Sequence, residues 1–330
     1  MISVICPVYN ELKYITHVLD FCIKAKPDNK EIIFIDGNSN DGTSDLLCKY
    51  IQKYPFVRLL KNENRYVAYA LNMAIREARG DIIIRVDAHT EYADDYFEKI
   101  LETFEQTGAD IIGGPMRIAL GNLTQKAIGH ATSTLFGVGN SSFHFEKFEG
   151  FTNSVYPGAW KKNIFTITGP FDESLKRNQD DEFHYRAVSK GLRIYQSPRI
   201  RLYYHPRKKF RMLFKQYFEY GLYKPLVLIK NKSALSIRHL APPLFVLYLI
   251  CLPFMLVKHF YTGLLPLAIY ACMNIFYTLK SKSTFMQLMR IAIAYFIIHI
   301  SYGAGFIAGL FKIFSAESKD NPKVESAAVN

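Results

Sequence analysis

The stretch Asp81-Ile82-Ile83-Ile84-Arg85-Val86-Asp87-Ala88-His89 (81–89) decides the fold. A short, nearly continuous apolar run bounded by Gly80 and closed by Asp87 reads as a strand buried on both faces, with polar groups where it meets solvent. Upstream, the apolar run 2–6 ends at Pro7, and Ile15, Val18, Leu19 and Cys22 follow at helical spacing. EIIFID (31–36) is a second strand, stopped by the turn residues 37–42, and Asp41 or Thr43 caps a helix through Tyr50. VRLLKN (57–62) is a third strand, and Val67, Leu71, Ala74, Ile75 and Ala78 mark a helix ending at Gly80. Downstream come the helix 96–108 and the strand 109–116. Strands alternating with helices predict an α/β fold with a mostly parallel central sheet covered on both faces. Such sheets bind ligands beyond the carboxyl ends of their strands. Pro7–Glu11, Asp36–Asp41 and Asp87–His89 all fall at such ends.

Residues 117–155 have weak periodicity and read as connecting structure. Order returns with turns at 156–158 and 169–170, a helix near 181–190 and the strand LRIYQS. RKKFRMLFKQYFEYGLYK (207–224) aligns Phe210, Leu213, Phe214, Tyr217, Phe218 and Gly221 on one helical face flanked by bases, as expected of a helix lying at a bilayer surface; packing against the globular domain is the alternative. Three long apolar runs follow, 241–257, 260–279 and 291–311, of a length that suits bilayer-spanning helices; buried core helices or a re-entrant hairpin are the alternatives. The divisions expected are 1–206, a catalytic α/β domain; 207–238, a basic amphipathic helix and linker; 239–314, about three membrane-associated helices; and 315–330, a polar tail.

The formal net charge of +12 suits an anionic membrane surface or phosphorylated substrates. Nucleic acid is not expected as a partner, because no recognised binding module accompanies the basic segment. Cys6, Cys22, Cys48, Cys251 and Cys272 are odd in number and form no CxxC pair, which argues against a disulfide framework or zinc site and for a reducing compartment. The chain opens directly on a strand, so no signal peptide is expected. Lysines and arginines concentrated ahead of the first apolar run predict a plasma (inner) membrane location with the N-terminal domain in the cytoplasm.

Three polar clusters carry candidate chemistry. Asp36 opens a Gly/Asn turn through Asn38, where a carboxylate accepts hydrogen bonds from a base or from sugar hydroxyls; a helix-capping turn is the structural alternative. Neither GxGxxG nor GxxxxGK[ST] occurs, so this is no phosphate loop of those kinds. Asp87 and His89, two residues apart, suit a divalent cation, Mg²⁺ by the oxygen and Mn²⁺ more naturally by the imidazole; a strand-terminal Asp followed by a solvent-facing His is the structural alternative. Asp180, Asp181 and Glu182 at a helix start favour the dipole, and crowding makes one of them a usable general base. Trp160, beside Gly158, belongs either to a sugar pocket or to the core.

The ordered set PVYNE (7–11), DGNSNDGT (36–43), AYALNMAI (68–75), DAH (87–89) and GPFDESLKRNQDDEFHYR (169–186) resembles family 2 glycosyltransferases of the GT-A fold, notably bacterial exopolysaccharide enzymes of the succinoglycan-biosynthesis type. The resemblance spans roughly residues 1–225 and implies a nucleotide-sugar donor, UDP-linked in expectation, a divalent metal (Mn²⁺ or Mg²⁺) and inversion at the anomeric carbon. It implies that Pro7, Tyr9 and Glu11 border the nucleoside, that Asp36 and Asn38 hold the base, and that Asp87 lies near ribose and metal. Gly158 joins the donor pocket. His89 stands where the family has a second acid, and His205 is a further candidate metal ligand. Asp180 matches the catalytic base, with Asp181 the nearest substitute. No QxxRW helix is present, which points to transfer of a single sugar rather than processive polymerisation. The apolar runs add a lipid-linked saccharide as the expected acceptor. A nucleotidyltransferase and a non-catalytic nucleotide-binding membrane scaffold are the competing readings.

Overall fold

The computed structural model describes residues 1–119, 121–231, 235–259 and 261–317, the side chains of 316 and 317 excepted. Residues 318–330 of the expected polar tail lie outside the described residues. The chain opens with β1 (Ile2–Val8), α1 (Leu12–Lys24), β2 (Lys30–Asp36), α2 (Thr43–Lys53), β3 (Val57–Lys61), α3 (Val67–Glu77) and β4 (Ile82–Arg85). It continues through β5 (Thr90–Tyr92), α4 (Tyr96–Thr107), β6 (Ile111–Gly114), β7 (Met116–Ile118), α5 (Leu123–Ala131), α6 (Leu135–Val138), β8 (Gly150–Thr152) and β9 (Tyr156–Lys161). α7 (Ile164–Thr168), α8 (Gln179–Ser189), β10 (Ile194–Gln196), β11 (Leu202–Tyr204), α9 (Phe210–Lys230), α10 (Ile237–Val257), α11 (Leu265–Leu279) and α12 (Phe285–Glu317) complete it.

Eight strands form one sheet in the order β3-β2-β1-β4-β9-β6-β10-β8, and β5-β11-β7 form a second. β3, β2, β1 and β4 are parallel, as are β6 and β10, while β9 runs against both β4 and β6 and β8 against β10. The mostly parallel α/β sheet expected from the alternation is therefore present. One buried antiparallel strand sits in its middle, where the sequence reads only as a turn at 156–158. Pro157 suppresses the strand reading, and the sheet admits it beside a register shift between Ile112 and Gly114 of β6. Two apolar layers cover the sheet. Ile15, Val18 and Leu19 of α1 pack on one face with Phe97 and Ile100 of α4; Leu71 and Ala74 of α3 pack on the other with Trp160 and Phe183. Trp160 is thus core, walled by Phe165, Phe171 and Phe183.

Asn72 of α3 ties two of the sequence motifs together. Its amide donates to Phe171 O at 2.9 Å and to Glu173 Oε1 at 2.8 Å, and its carbonyl accepts from Phe171 N at 2.8 Å. This clamp fixes the approach of 169–173, and so the start of α8.

Residues 117–155 are more than a connection. α5 begins with a reciprocal capping box between Asn122 and Gln125, and buries Ala127, Ile128 and Ala131 against Ile291, Ala294 and Tyr295 of α12. α9 also lies on α12 through small residues. A Cβ at Gly221 would stand 2.1 Å from Tyr302 O, and one at Gly305 2.1 Å from Phe218 O. The apolar face foreseen for 207–224 is therefore divided: Leu213 is buried, while Phe214 remains exposed.

Three helical segments, 237–257, 261–279 and 285–315, are long and apolar enough to cross a membrane, with mean hydropathy 2.3, 1.4 and 1.8. Only 11% of the most apolar window of each of the first two is buried in the protein, which leaves large apolar faces exposed.

Candidate active site

Backbone strain marks the carboxyl edge of the sheet. Asn10, Asn38, Arg65 and Asn178 all adopt left-handed conformations although none is glycine, a state that persists only where surrounding structure imposes it. Asn10 follows β1, and Asn10 N donates to Ser39 Oγ while Asn40 N donates to Asn10 Oδ1, so the first two loops are stitched together. Tyr9 is exposed, with the Arg65 guanidinium 5.7 Å from its ring centroid. This edge offers a flat aromatic surface and a cation to an incoming ligand.

The centre is built around Arg85, the last residue of β4. Its Nε donates to Asp87 Oδ1 at 2.9 Å, and its Nη1 donates to both oxygens of Asp180 at 2.9 Å. One guanidinium therefore joins the two acidic clusters that lie ninety-odd residues apart in the chain. Asp87 also accepts from Tyr156 Oη at 3.0 Å, and its backbone N–H donates to Tyr92 Oη at 2.7 Å. Burial pushes the Asp87 carboxyl up, but the charges of Arg85 and His89 and the hydrogen bonds from Arg85 and Tyr156 outweigh it and hold it below the usual carboxylate range. Burial likewise works against the charge on Arg85, and Asp180 and Asp87 more than offset that.

His89 Nδ1 lies 3.2 Å from Glu11 Oε1. Burial disfavours its charged form, yet the Glu11 hydrogen bond and the Asp87 charge raise it above the ordinary histidine value. At the start of α8 the three acids have different partners. Asp180 meets Arg85; Asp181 accepts from Lys224 Nζ of α9 at 2.6 Å; Glu182 is buried and gripped by Arg186 at 2.8 and 2.7 Å. Asp181 is held below its usual range: burial raises it, and the Lys224 charge and hydrogen bond lower it further than burial lifts it. Glu182 is structural; Asp180 and Asp181 are similarly exposed, at 33% and 29%, and Asp180 is the one that Arg85 ties to Asp87.

These residues line a cavity of about 1000 Å³. Pro7, Tyr9, Glu11, Asp87, His89, Gly158, Asp180 and Asp181 are all in its wall. Gly158 has no room for a side chain, since a Cβ would meet the Trp160 ring at 2.5 Å. From there the wall continues onto Pro242 of α10, Tyr270 of α11 and Tyr302 of α12.

Three expected site residues stand apart from this wall. Asp36 is buried and its oxygens are taken by Ser39 N at 3.2 Å, Ser39 Oγ at 2.5 Å and Ser44 Oγ, while Asn38 is in the adjacent turn. His205 pairs with Glu91 Oε1 at 2.7 Å across β11 and β5, outside the cavity lining. Among the described residues no cluster of three or more His, Cys, Asp or Glu forms a preformed metal site. Asp87 and His89 are a two-donor set, adequate for a cation that takes its remaining ligands from phosphate oxygens and water. Sequence reasoning passed over Arg85, Tyr156 and Lys224. A lone arginine inside an isoleucine strand was the available signal, because buried charge must be paired.

Over residues 3–169 the chain matches the family described as Glycosyl transferase family 2. It is similar to the succinoglycan biosynthesis protein ExoA of Rhizobium meliloti (strain 1021), 28% identical over 313 residues, 92% of this chain and 93% of that protein. It is 30% identical over 325 residues to the dolichyl N-acetyl-alpha-D-glucosaminyl phosphate 3-beta-D-2,3-diacetamido-2,3-dideoxy-beta-D-glucuronosyltransferase of Methanococcus voltae, covering 94% of this chain and 97% of that one. Among solved structures it resembles the mannosyltransferase PcManGT from Pyrobaculum calidifontis in complex with GDP-Man and Mn2+, with TM-score 0.64, 16% identity and coverage of 94% of this chain and 87% of that one. It also resembles S. aureus TarS 1-349, with TM-score 0.52, 17% identity and coverage of 94% and 91%. At these identities the structural likeness shows the fold, the GT-A arrangement expected from the motifs.

Proposed function

The chain belongs to glycosyl transferase family 2, and from that membership we propose that it is an inverting, metal-dependent hexosyltransferase that moves one sugar from a nucleotide-diphosphate sugar to a hydroxyl of a lipid-linked saccharide. We assign it to surface polysaccharide synthesis, with the catalytic domain on the cytoplasmic face of the plasma membrane. The observation that carries the reading is the single cavity running from the strand ends at Asp87 to the apolar helices α10–α12. A donor entering from the sheet edge and an acceptor anchored in lipid would meet in that cavity beside Asp180.

In this mechanism Tyr9 and Arg65 bind the nucleoside end, and UDP is the first donor to test. Asp87 and His89 would hold Mn²⁺ or Mg²⁺, which when bound supplies positive charge to the diphosphate leaving group. Asp180 takes the proton from the acceptor hydroxyl. That oxygen bonds to the anomeric carbon as the bond to the diphosphate oxygen breaks on the opposite face, and the nucleoside diphosphate leaves with the electron pair. Arg85 is a positioning residue. Its two hydrogen bonds to Asp180 fix the carboxylate relative to Asp87, so base and donor are held in one frame. Asp180→Asn tests the assignment. Transfer is expected to fall by about 10²–10⁴-fold while nucleotide-sugar binding persists, and unchanged turnover would remove Asp180 from the role of base.

A further inference from the structure

At its membrane end the cavity holds a polar corner that the transfer chemistry does not use. Arg238, at the start of α10, directs its guanidinium to Ser141 Oγ, Asn140 Oδ1 at 3.3 Å, Tyr185 Oη at 3.4 Å and His239 Nε2 at 3.2 Å. Its stem is seated on Gly139, where a Cβ would come within 2.8 Å. Asp181 is the carboxylate that faces this corner, and Lys224 already neutralises it at 2.6 Å. Among the described residues Arg238 has no carboxylate within ion-pair distance, although Asp181 attracts it from farther off.

Two buried polar atoms in the same wall have no hydrogen-bond partner, Tyr302 Oη and His144 Nδ1. Tyr302 lies within electrostatic reach of Asp181, Arg238 and Tyr185, and His144 within reach of Arg238. An unpaired buried polar group costs free energy, and two of them beside the Arg238 guanidinium form the outline of an anion site. Beyond this corner the wall turns apolar, with Pro242 and Phe245 of α10, Pro266, Ile269 and Met273 of α11 and Ile298 of α12.

We propose that Arg238, Tyr302 and His144 form a phosphate subsite for the acceptor, which is a prenyl or other long alkyl chain ending in phosphate or diphosphate, its chain lying along α10–α12. The inference rests on the proposed transferase reading and deepens it by naming what the acceptor presents to the protein. The phosphate fixes the carrier at the membrane end, and the attached sugar then extends toward Asp180.

The test uses full-length protein in lipid nanodiscs and needs no donor sugar. Binding of farnesyl diphosphate, farnesol and inorganic diphosphate is compared in the wild type, Arg238→Gln and Tyr302→Phe. The wild type is expected to bind farnesyl diphosphate about 10–100-fold more tightly than farnesol, the range for a charge-assisted contact. Arg238→Gln is expected to abolish that preference without weakening farnesol binding. Tyr302→Phe, which keeps the ring and removes only the orphan hydroxyl, is expected to weaken farnesyl diphosphate several-fold while leaving the ligand-free melting midpoint unchanged or higher. A farnesyl diphosphate preference that survives Arg238→Gln overturns the subsite, as does inorganic diphosphate binding as tightly as the farnesyl compound. Nucleotide-sugar turnover is assayed separately. Its absence refutes the transferase reading, whereas loss of lipid-phosphate selectivity alone refutes only this inference.

Discussion

Replacing Arg85 by glutamine removes the guanidinium that hydrogen-bonds both Asp87 and Asp180. Arg85 and Asp87 are 7% and 8% exposed, so the carboxylate would be left unpaired out of water. Breaking a buried pair from one side costs about 3–5 kcal/mol. Asp180, a third exposed, adds little to that sum because water screens it. At about 2–4 °C per kcal/mol for a domain of this size, the melting midpoint at neutral pH should fall by roughly 6–20 °C. The pH dependence should also change sign. In the wild type Asp87 is depressed in the folded state, so its stabilisation is present above the unfolded value and is lost as pH falls through the depressed one. Removing Arg85 takes away two of the four influences that lower Asp87, and burial is expected to carry the folded value above the unfolded one. The variant then recovers stability as pH falls toward the unfolded carboxylate value and loses it as pH rises through the elevated folded one. Thermal melts in detergent across that acid-to-neutral range, with Arg85→Lys alongside, measure both effects. An Arg85→Gln protein that melts with the wild type and keeps its acid limb would refute the bridging role.

Other outcomes follow from the same contacts. Asp181→Asn should flatten the wild-type loss of stability in acid, because Asp181 is depressed in the folded state and its contribution disappears as pH falls through that value; acid titration by circular dichroism reads it. Asn72→Ala removes three hydrogen bonds to 171–173 and should cost about 2–4 kcal/mol in a denaturant titration, with the start of α8 loosened first in hydrogen exchange. Gly305→Ala drives a Cβ into the Phe218 carbonyl and should destabilise the α9–α12 contact by about 1–3 kcal/mol, seen as earlier proteolysis within α9. His89→Ala should weaken the Mn²⁺ dependence of turnover, whereas His205→Ala should leave the metal titration unchanged, since His205 is engaged by Glu91 away from the cavity.

The alternation of strand and helix from Ile2 to Arg85 was legible because each element is buried by its own apolar period, and local pattern suffices for that. β9 was not legible. Pro157 and Gly158 signal a turn, and the strand exists only because β4 and β6 leave a slot between them. α5 was missed through its small and polar residues, though the Asn122…Gln125 capping pair was on view. Asp87, His89, Glu11 and Asp180 were singled out by their motifs and their positions at element ends, and the structure places them in one cavity wall. Arg85, Tyr156 and Lys224 were not, because their meaning lies in which carboxylate each one meets, and those contacts join residues 2 to 95 positions apart. Asp36, expected at the base, accepts from Ser39 and Ser44 and lies outside the cavity lining, a placement that depends on how the turn after β2 closes.

The central claim is sugar transfer to a lipid-anchored acceptor with Asp180 as base. Its most direct test incubates purified full-length protein with a panel of radiolabelled nucleotide sugars, Mn²⁺ and membrane lipid extract, and measures label entering the organic phase. The account predicts lipid-phase label from at least one donor with the wild type, and its loss in Asp180→Asn. Label that appears only as free sugar or in water-soluble product, or that is undiminished in Asp180→Asn, would contradict it.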